Sequence, residues 1–211
     1  MGAVGLLYVG AVLFINGVML LGWVDAKSAA PMNIFVGGLQ VVTPTYLIFT
    51  ANGDQNTILQ ASGLYLFGFT YLYVAFNLLA GLDGTGLGYF SAFVAVCAVV
   101  FAWLSFERFN DNTFGVIWLN WAFLWLLFFL LLGRNQAGLG RYTGAVAAIQ
   151  GWVTGAVPAF LLLTGHWGEN DNARAIGLAI FSVVVFGALY PRLRTPAPAP
   201  SGAPVESPQP A

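Results

Sequence analysis

Apolar positions dominate this 211-residue chain, and its fifteen charged residues are confined to the edges of seven long uncharged stretches. The stretches are Met1–Val24, Ser28–Gly53, Gln55–Leu82, Gly84–Phe106, Asn112–Gly133, Tyr142–Gly168 and Ala175–Pro191. A helix of about 17–25 apolar residues crosses a bilayer core of about 30 Å, and only helices or closed barrels satisfy their own backbone there. Runs such as Trp121–Leu132 are apolar on every face and lack the alternation of a membrane barrel. The pattern predicts an all-α polytopic membrane protein with spans near 3–24, 31–51, 61–80, 87–106, 114–133, 143–165 and 174–190.

Residues 1–194 then form one transmembrane domain, and 195–211 a proline-rich tail holding six of the ten prolines. Such a segment cannot bury enough apolar surface to fold alone, and a disordered, partly polyproline II tail is expected. Lys27, Arg134, Arg141, Arg192 and Arg194 fall on one side of the alternating spans, Arg108 and Arg174 on the other. The excess of Lys and Arg puts the first group in the cytoplasm, the amino terminus outside and the tail inside. No basic region precedes the first apolar run, so that helix is expected to be retained rather than cleaved.

Composition narrows the chemistry further. With 59% hydrophobic and 7% charged residues and a mean hydropathy of +0.80, the main solvent of this chain is lipid. A formal net charge of −1 without basic clusters argues against a nucleic-acid partner. One cysteine, Cys97, and one histidine, His166, are too few for a zinc site, and no cofactor is implied. His166 has Glu169 and Asp171 as neighbours but no convincing serine for a hydrolase. Lys27, the only lysine, sits in a loop, which excludes a retinal Schiff base in the last span.

No Asp, Glu, Lys, Arg or His occupies the middle of a predicted span, where pumps, ion-coupled transporters and voltage sensors keep ionisable groups. Uncharged polar and aromatic side chains stand there instead, at helical spacing. Val9, Leu13 and Asn16 share one face; Phe67 and Tyr71 another; Trp118, Trp121 and Trp125 a third; Gln150 and Thr154 align on the sixth span. Packing glue between helices is one reading of such groups, and a path for a neutral solute is the other. Stripping an amide of water without replacement costs roughly 2–7 kcal/mol, so a path needs substitute hydrogen bonds from Asn16, Tyr71, Gln150 and indole N–H groups. An ion entering the same uncharged tube meets a much larger desolvation cost.

A weak repeat of about 55 residues runs through the odd-numbered spans. Leu7–Gly10 leads to Asn16, Leu66–Phe69 leads to Asn77, and Asn120 lies among tryptophans, which suggests three helix hairpins plus an added seventh helix. These residues resemble the urea and short-chain amide channel family (AmiS/UreI). The matching strings are Leu6-Leu7-Tyr8-Val9-Gly10, Val24-Asp25 with Lys27-Ser28, Met32-Asn33 with Phe35-Val36-Gly37-Gly38-Leu39, Leu66-Phe67-Gly68-Phe69-Thr70-Tyr71-Leu72-Tyr73, Gly81-Leu82-Asp83, and Ile117-Trp118-Leu119 with Trp121 and Leu124-Trp125-Leu126. The resemblance implies a homo-hexameric inner-membrane channel whose protomers each pass urea or small aliphatic amides down a gradient, and supply of a cytoplasmic amidase or urease is the expected use of that flux. It assigns Val9, Leu13, Phe67, Tyr71, Trp121 and Trp125 to the pore constrictions.

Three departures shape the expectation. Gln150 stands where the acid-gated urea channel has a pore glutamate. The loops on the predicted outer side are short and hold a single histidine, a poor basis for a cooperative acid switch. The seventh span and tail extend beyond the six-span pattern. A passive channel for acetamide-like amides and urea, not strongly acid-gated, is expected. The alternative is a non-transporting sensor or assembly subunit that docks a partner through its tail.

Overall fold

The computed structural model describes residues 2–195, so the predicted tail, apart from Thr195, lies outside the described residues. Seven helices are long and apolar enough to cross a membrane: α1 (Gly2–Leu20), α2 (Ala26–Thr50), α3 (Gln55–Ala80), α4 (Thr85–Glu107), α5 (Asn112–Gly133), α6 (Ala137–Leu163) and α7 (Asp171–Leu193). The chain is a multi-pass, all-helical membrane protein. No strand occurs among the described residues.

Helix ends follow local chemistry more than hydropathy. Asp25 caps α2 by accepting the Lys27 and Ser28 amides at 2.9 and 3.4 Å, and Asp54 caps α3 by accepting the Asn56 and Thr57 amides at 3.3 and 2.9 Å. Both helices therefore start five or six residues before the apolar spans predicted from sequence, with polar first turns that need no lipid. At the other end of the first span, Gly22 at φ 85° turns the chain and stops α1 at Leu20.

The six helices α1–α6 close into a ring in which the tightest neighbours are α2 with α3, α4 with α5, and α6 with α1. The chain-order hairpins α1–α2, α3–α4 and α5–α6 contact each other less closely, so each odd helix is seated against an even helix of the adjoining hairpin. Glycine makes the closest seam. A Cβ on Gly10 would lie 2.5 Å from the Gly151 carbonyl oxygen and 2.6 Å from the Ala156 nitrogen; one on Gly17 would lie 2.4 Å from the Ala148 nitrogen. Small residues let helix backbones approach where lipid offers no hydrophobic drive to pair them. At this seam α6 widens into a π-helical turn over Gly151–Ala156, and α5 ends in a second one over Phe129–Gly133.

α7 packs outside the ring on α5 and α6. Its Asp171 carboxylate accepts the Asn112 and Thr113 amides, both at 2.9 Å, and so holds the start of α5. Near its other end the Tyr142 hydroxyl donates to the Phe186 carbonyl at 3.0 Å, and the Thr195 amide donates to Gly138 at 3.0 Å. Large apolar side chains such as Phe35, Phe49, Val96 and Val183 point outward, as a lipid-facing surface requires.

Candidate functional site

The odd helices α1, α3 and α5 turn their aromatic and aliphatic faces to the ring's interior, where two cavities lie end to end. The wider one, about 390 Å³, is bordered by Thr57 in the first turn of α3 and by Asp111 at the start of α5, and is walled by Leu6, Val9, Gln40, Phe101, Trp118 and their neighbours. The narrower one, about 30 Å³, is walled by Leu13, Asn16, Tyr71, Ser91, Leu124, Trp125 and others, with room for about one or two waters. Phe67 and Trp121 belong to both walls and separate the two.

That partition is built from rings in direct contact. The Phe67 centroid lies 4.7 Å from Trp121 at an interplanar angle of 79°, and 4.8 Å from Trp125 at 58°. Tyr71, one turn further on α3, is 6.2 Å from Phe67. Trp118 meets Trp121 edge-on at 4.9 Å and stacks on Phe101 at 4.7 Å. Edge-to-face and offset contacts of this kind are the favoured aromatic geometries and add to the burial of large ring surfaces. Phe67 and Trp121 of the partition, and Tyr71 and Trp125 beside it on the narrow chamber, are all buried.

The polar groups divide sharply between those already paired and those left free. The Trp121 indole N–H donates to Thr154 Oγ1 at 3.0 Å, and that hydroxyl donates to the Gln150 carbonyl at 2.7 Å. The bond fixes the ring against α6 and removes the Trp121 donor from any passing solute, contrary to the expectation that indole N–H groups in general are available. Asn16 exchanges two hydrogen bonds with Asn33 of α2, at 2.9 and 2.7 Å, and its amide keeps one N–H and one lone pair on the narrow chamber's wall. Among the described residues the Tyr71 hydroxyl and the Trp125 indole N–H have no hydrogen-bond partner, and both residues line the narrow chamber.

Seven of the eight residues singled out from sequence, Val9, Leu13, Asn16, Phe67, Tyr71, Trp121 and Trp125, thus lie along one or both chambers. Gln150 does not. Its side chain is fully buried between α6 and α5, where Nε2 donates to the Asn120 carbonyl at 3.0 Å, and it lines neither chamber. Helical spacing aligns Gln150 with Thr154 correctly, but the face they share meets α5 rather than the passage. Phe101, Thr70, Ser91 and Gln40 join the wall although no spacing rule pointed to them. The available signal for Gln40 was its uncharged polar type at the centre of an apolar span.

Two chambers, a ring partition and walls uncharged except for Asp111 suit small neutral molecules, and the similar known proteins are transporters and channels. Residues 1–166 match the model of the AmiS/UreI family transporter group. The chain is 52% identical over 204 residues to a protein described as the transporter AmiS2 of Rhodococcus erythropolis, covering 95% of this chain and 98% of that one. It is also 52% identical over 191 residues to an amidate-substrate transporter of Mycolicibacterium smegmatis, covering 90% and 89%. The crystal structure of the Helicobacter pylori urea channel superposes with a TM-score of 0.72 at 37% identity, covering 79% of this chain and 99% of that one. The family match ends before α7 begins, whereas the part of the chain outside the AmiS2 alignment is shorter than α7, so that alignment extends into α7. This chain belongs to the AmiS/UreI family.

Proposed function

We propose that the protein is a passive channel for short-chain amides such as acetamide, with urea also permeant. The observation that carries this reading is the partition formed by Phe67 and Trp121 between two chambers, whose walls hold no charged side chain except Asp111 at the wide mouth. A flat amide slides between flat rings, and the Tyr71 hydroxyl, the Trp125 N–H and the spare Asn16 groups replace part of its lost water. An ion gets no comparable compensation. The names borne by the amide-transporter and urea-channel relatives support the solute class.

The passage is not strongly acid-gated in this reading. Neither chamber holds a histidine, and exposed His166 contacts only Thr164, at 3.1 Å, through its ring. The loops near the wide mouth are anchored by carboxylates instead. Hydrogen bonds from the Thr57 hydroxyl and amide, with Asn56 and Arg108 adding to them, hold the Asp54 carboxyl below its ordinary value. A depressed carboxylate contributes stability above the ordinary carboxylate range and loses it only as pH falls through the lowered value. Nothing at this anchor changes between pH 7.5 and 5.

Stopped-flow light scattering on proteoliposomes under inward acetamide and urea gradients tests both statements. Faster entry than in empty liposomes is expected at pH 7.5 and at pH 5, with less than about a twofold difference between them. No enhancement at either pH with correctly inserted protein would sink the channel reading, and a steep rise at pH 5 would sink the ungated one. We further propose a homo-hexamer in a bacterial inner membrane, amino terminus outside, feeding a cytoplasmic amidase or urease. The family resemblance, the distribution of Lys and Arg and the outward apolar faces support this arrangement.

A further inference from the structure

Gln40 sits near the middle of α2, fully buried, and lines the wide chamber. Neither its Oε1 nor its Nε2 has a hydrogen-bond partner among the described residues. The interior amides of Asn16 and Asn33, by contrast, bond to each other across helices, and Gln150 keeps one bond, from Nε2 to the Asn120 carbonyl, while its Oε1 has no partner among the described residues. Buried polar groups are almost always paired, and an orphaned primary amide carries a large desolvation cost, so one beside a cavity points to a partner that arrives from that cavity.

Its surroundings enclose the amide without giving it a hydrogen bond. Gly5 of α1 faces the head group; a Cβ there would lie 3.1 Å from Nε2 and 3.2 Å from Oε1. Four residues further along α2, Pro44 has no N–H to give to the Gln40 carbonyl, and that carbonyl lies against Gly68 of α3, where a Cβ would approach it to 2.9 Å. Gly68 directly follows Phe67, the partition ring. Gln40 is therefore placed at the threshold of the narrowest point, ahead of the rings for a solute coming from the wide chamber.

We propose that the Gln40 side chain is an amide-recognition station, turning toward the wide chamber to pair head to head with a primary amide or urea before it enters the partition. This deepens the channel reading and rests on it. The chemistry is self-complementary. A primary amide presents its carbonyl oxygen and one syn N–H on the same edge, and Gln40 presents the same pair, so two hydrogen bonds form at once and replace water on both partners. Urea has the same edge. A trans secondary amide such as N-methylacetamide carries its N–H on the opposite side from its carbonyl and can form only one of the two bonds.

The test compares acetamide with N-methylacetamide permeation through the wild-type protein and Gln40→Met in proteoliposomes, after size-exclusion chromatography shows equal assembly. Methionine keeps the side chain's length and removes its hydrogen bonding. Acetamide entry is expected to slow roughly five- to tenfold and N-methylacetamide less than about twofold, the difference being the loss of the second hydrogen bond. Equal slowing of both solutes would make Gln40 a packing residue, and unchanged acetamide entry would remove it from the path; either overturns the proposal. If Gln40→Met does not assemble, Gly5→Ala, which presses on the amide, gives the same selective slowing or refutes it. A wild-type protein that passes neither solute faster than empty liposomes overturns the channel reading itself.

Discussion

Among the described residues a lateral groove and a pair of axial chambers lie between helices, and the roomier groove is not the one with the features of a passage. A lateral groove of about 1130 Å³ runs between α5, α6 and α7, walled by Leu119, Phe123, Leu127, Val183, Phe186 and other mostly apolar groups. The axial passage amounts to chambers of about 390 and 30 Å³. The difference is convergence. The passage draws side chains from all six ring helices and is partitioned by rings held at fixed contacts, whereas the groove lies on one flank of the bundle. Size alone does not decide between them, because a volume says nothing about which side chains converge on it.

α5 serves both spaces with opposite faces. Trp118, Trp121 and Trp125 meet the passage, while Leu119, Phe123 and Leu127 meet the groove. Its start is held from both sides, since Asp111 accepts the Phe114 amide at 2.8 Å and the Trp167 indole N–H at 2.7 Å, and Asp171 reaches over from α7. The tryptophans are thereby set at a defined depth and rotation. α7 acts on the passage through α5 rather than by entering it.

The contrast is broken most severely at the α1–α6 seam that closes the ring. Gly10→Leu drives a side chain into backbone atoms 2.5 and 2.6 Å from its first carbon, a clash with no flexible neighbour to yield. Destabilisation of more than about 3 kcal/mol is expected, read as loss of the monodisperse species and of all amide flux. A protein that still assembles and conducts would show that the seam can open without cost.

Trp125→Ala comes next. It removes a buried ring that packs against the partition at Phe67 and an indole N–H from the narrow chamber. The truncation costs about 3–5 kcal/mol of packing but leaves the glycine seam intact, so assembly is retained and the acetamide-to-urea permeability ratio shifts on the order of tenfold. Unchanged flux and selectivity would take Trp125 out of the path.

Thr154→Val is milder. It keeps the shape but orphans the Trp121 N–H, at a cost of about 1–3 kcal/mol. The ring then loosens, and a lower melting temperature with a change in flux of about two- to threefold is expected; no change in either would mean the bond does not position the ring. Smallest is Ser182→Ala in the groove, whose hydroxyl bonds only its own helix at Leu178. A stability change within about 0.5 kcal/mol and unaltered flux are expected, and a loss of flux would bring the groove into the permeation mechanism.

How far the site was legible depended on the type of pattern. Val9 with Leu13, Phe67 with Tyr71, and Trp121 with Trp125 repeat at helical spacing and are large, so their shared faces stood out. Asn16 lay on the same face as Val9 and Leu13. Gln150 and Gln40 show where this fails: both are single amides in apolar spans, and spacing ranks Gln150 higher because Thr154 accompanies it. Both are fully buried in the structure, where Gln150 bonds to the Asn120 carbonyl and Gln40 borders the wide chamber without a partner among the described residues.

The sequence by itself determined the seven spans, the uncharged interior and the aromatic faces. Those follow from properties each segment carries alone: its apolar length, the need to satisfy its backbone in lipid, and its own helical period. Tertiary structure decided that α6 closes on α1, that Trp121 spends its donor on Thr154, and that Gln40 rather than Gln150 borders a chamber. These depend on the rotation of one helix against another. In helices apolar on nearly every side that rotation is set by glycine contacts and buried hydrogen bonds between segments distant in sequence, which no local pattern records.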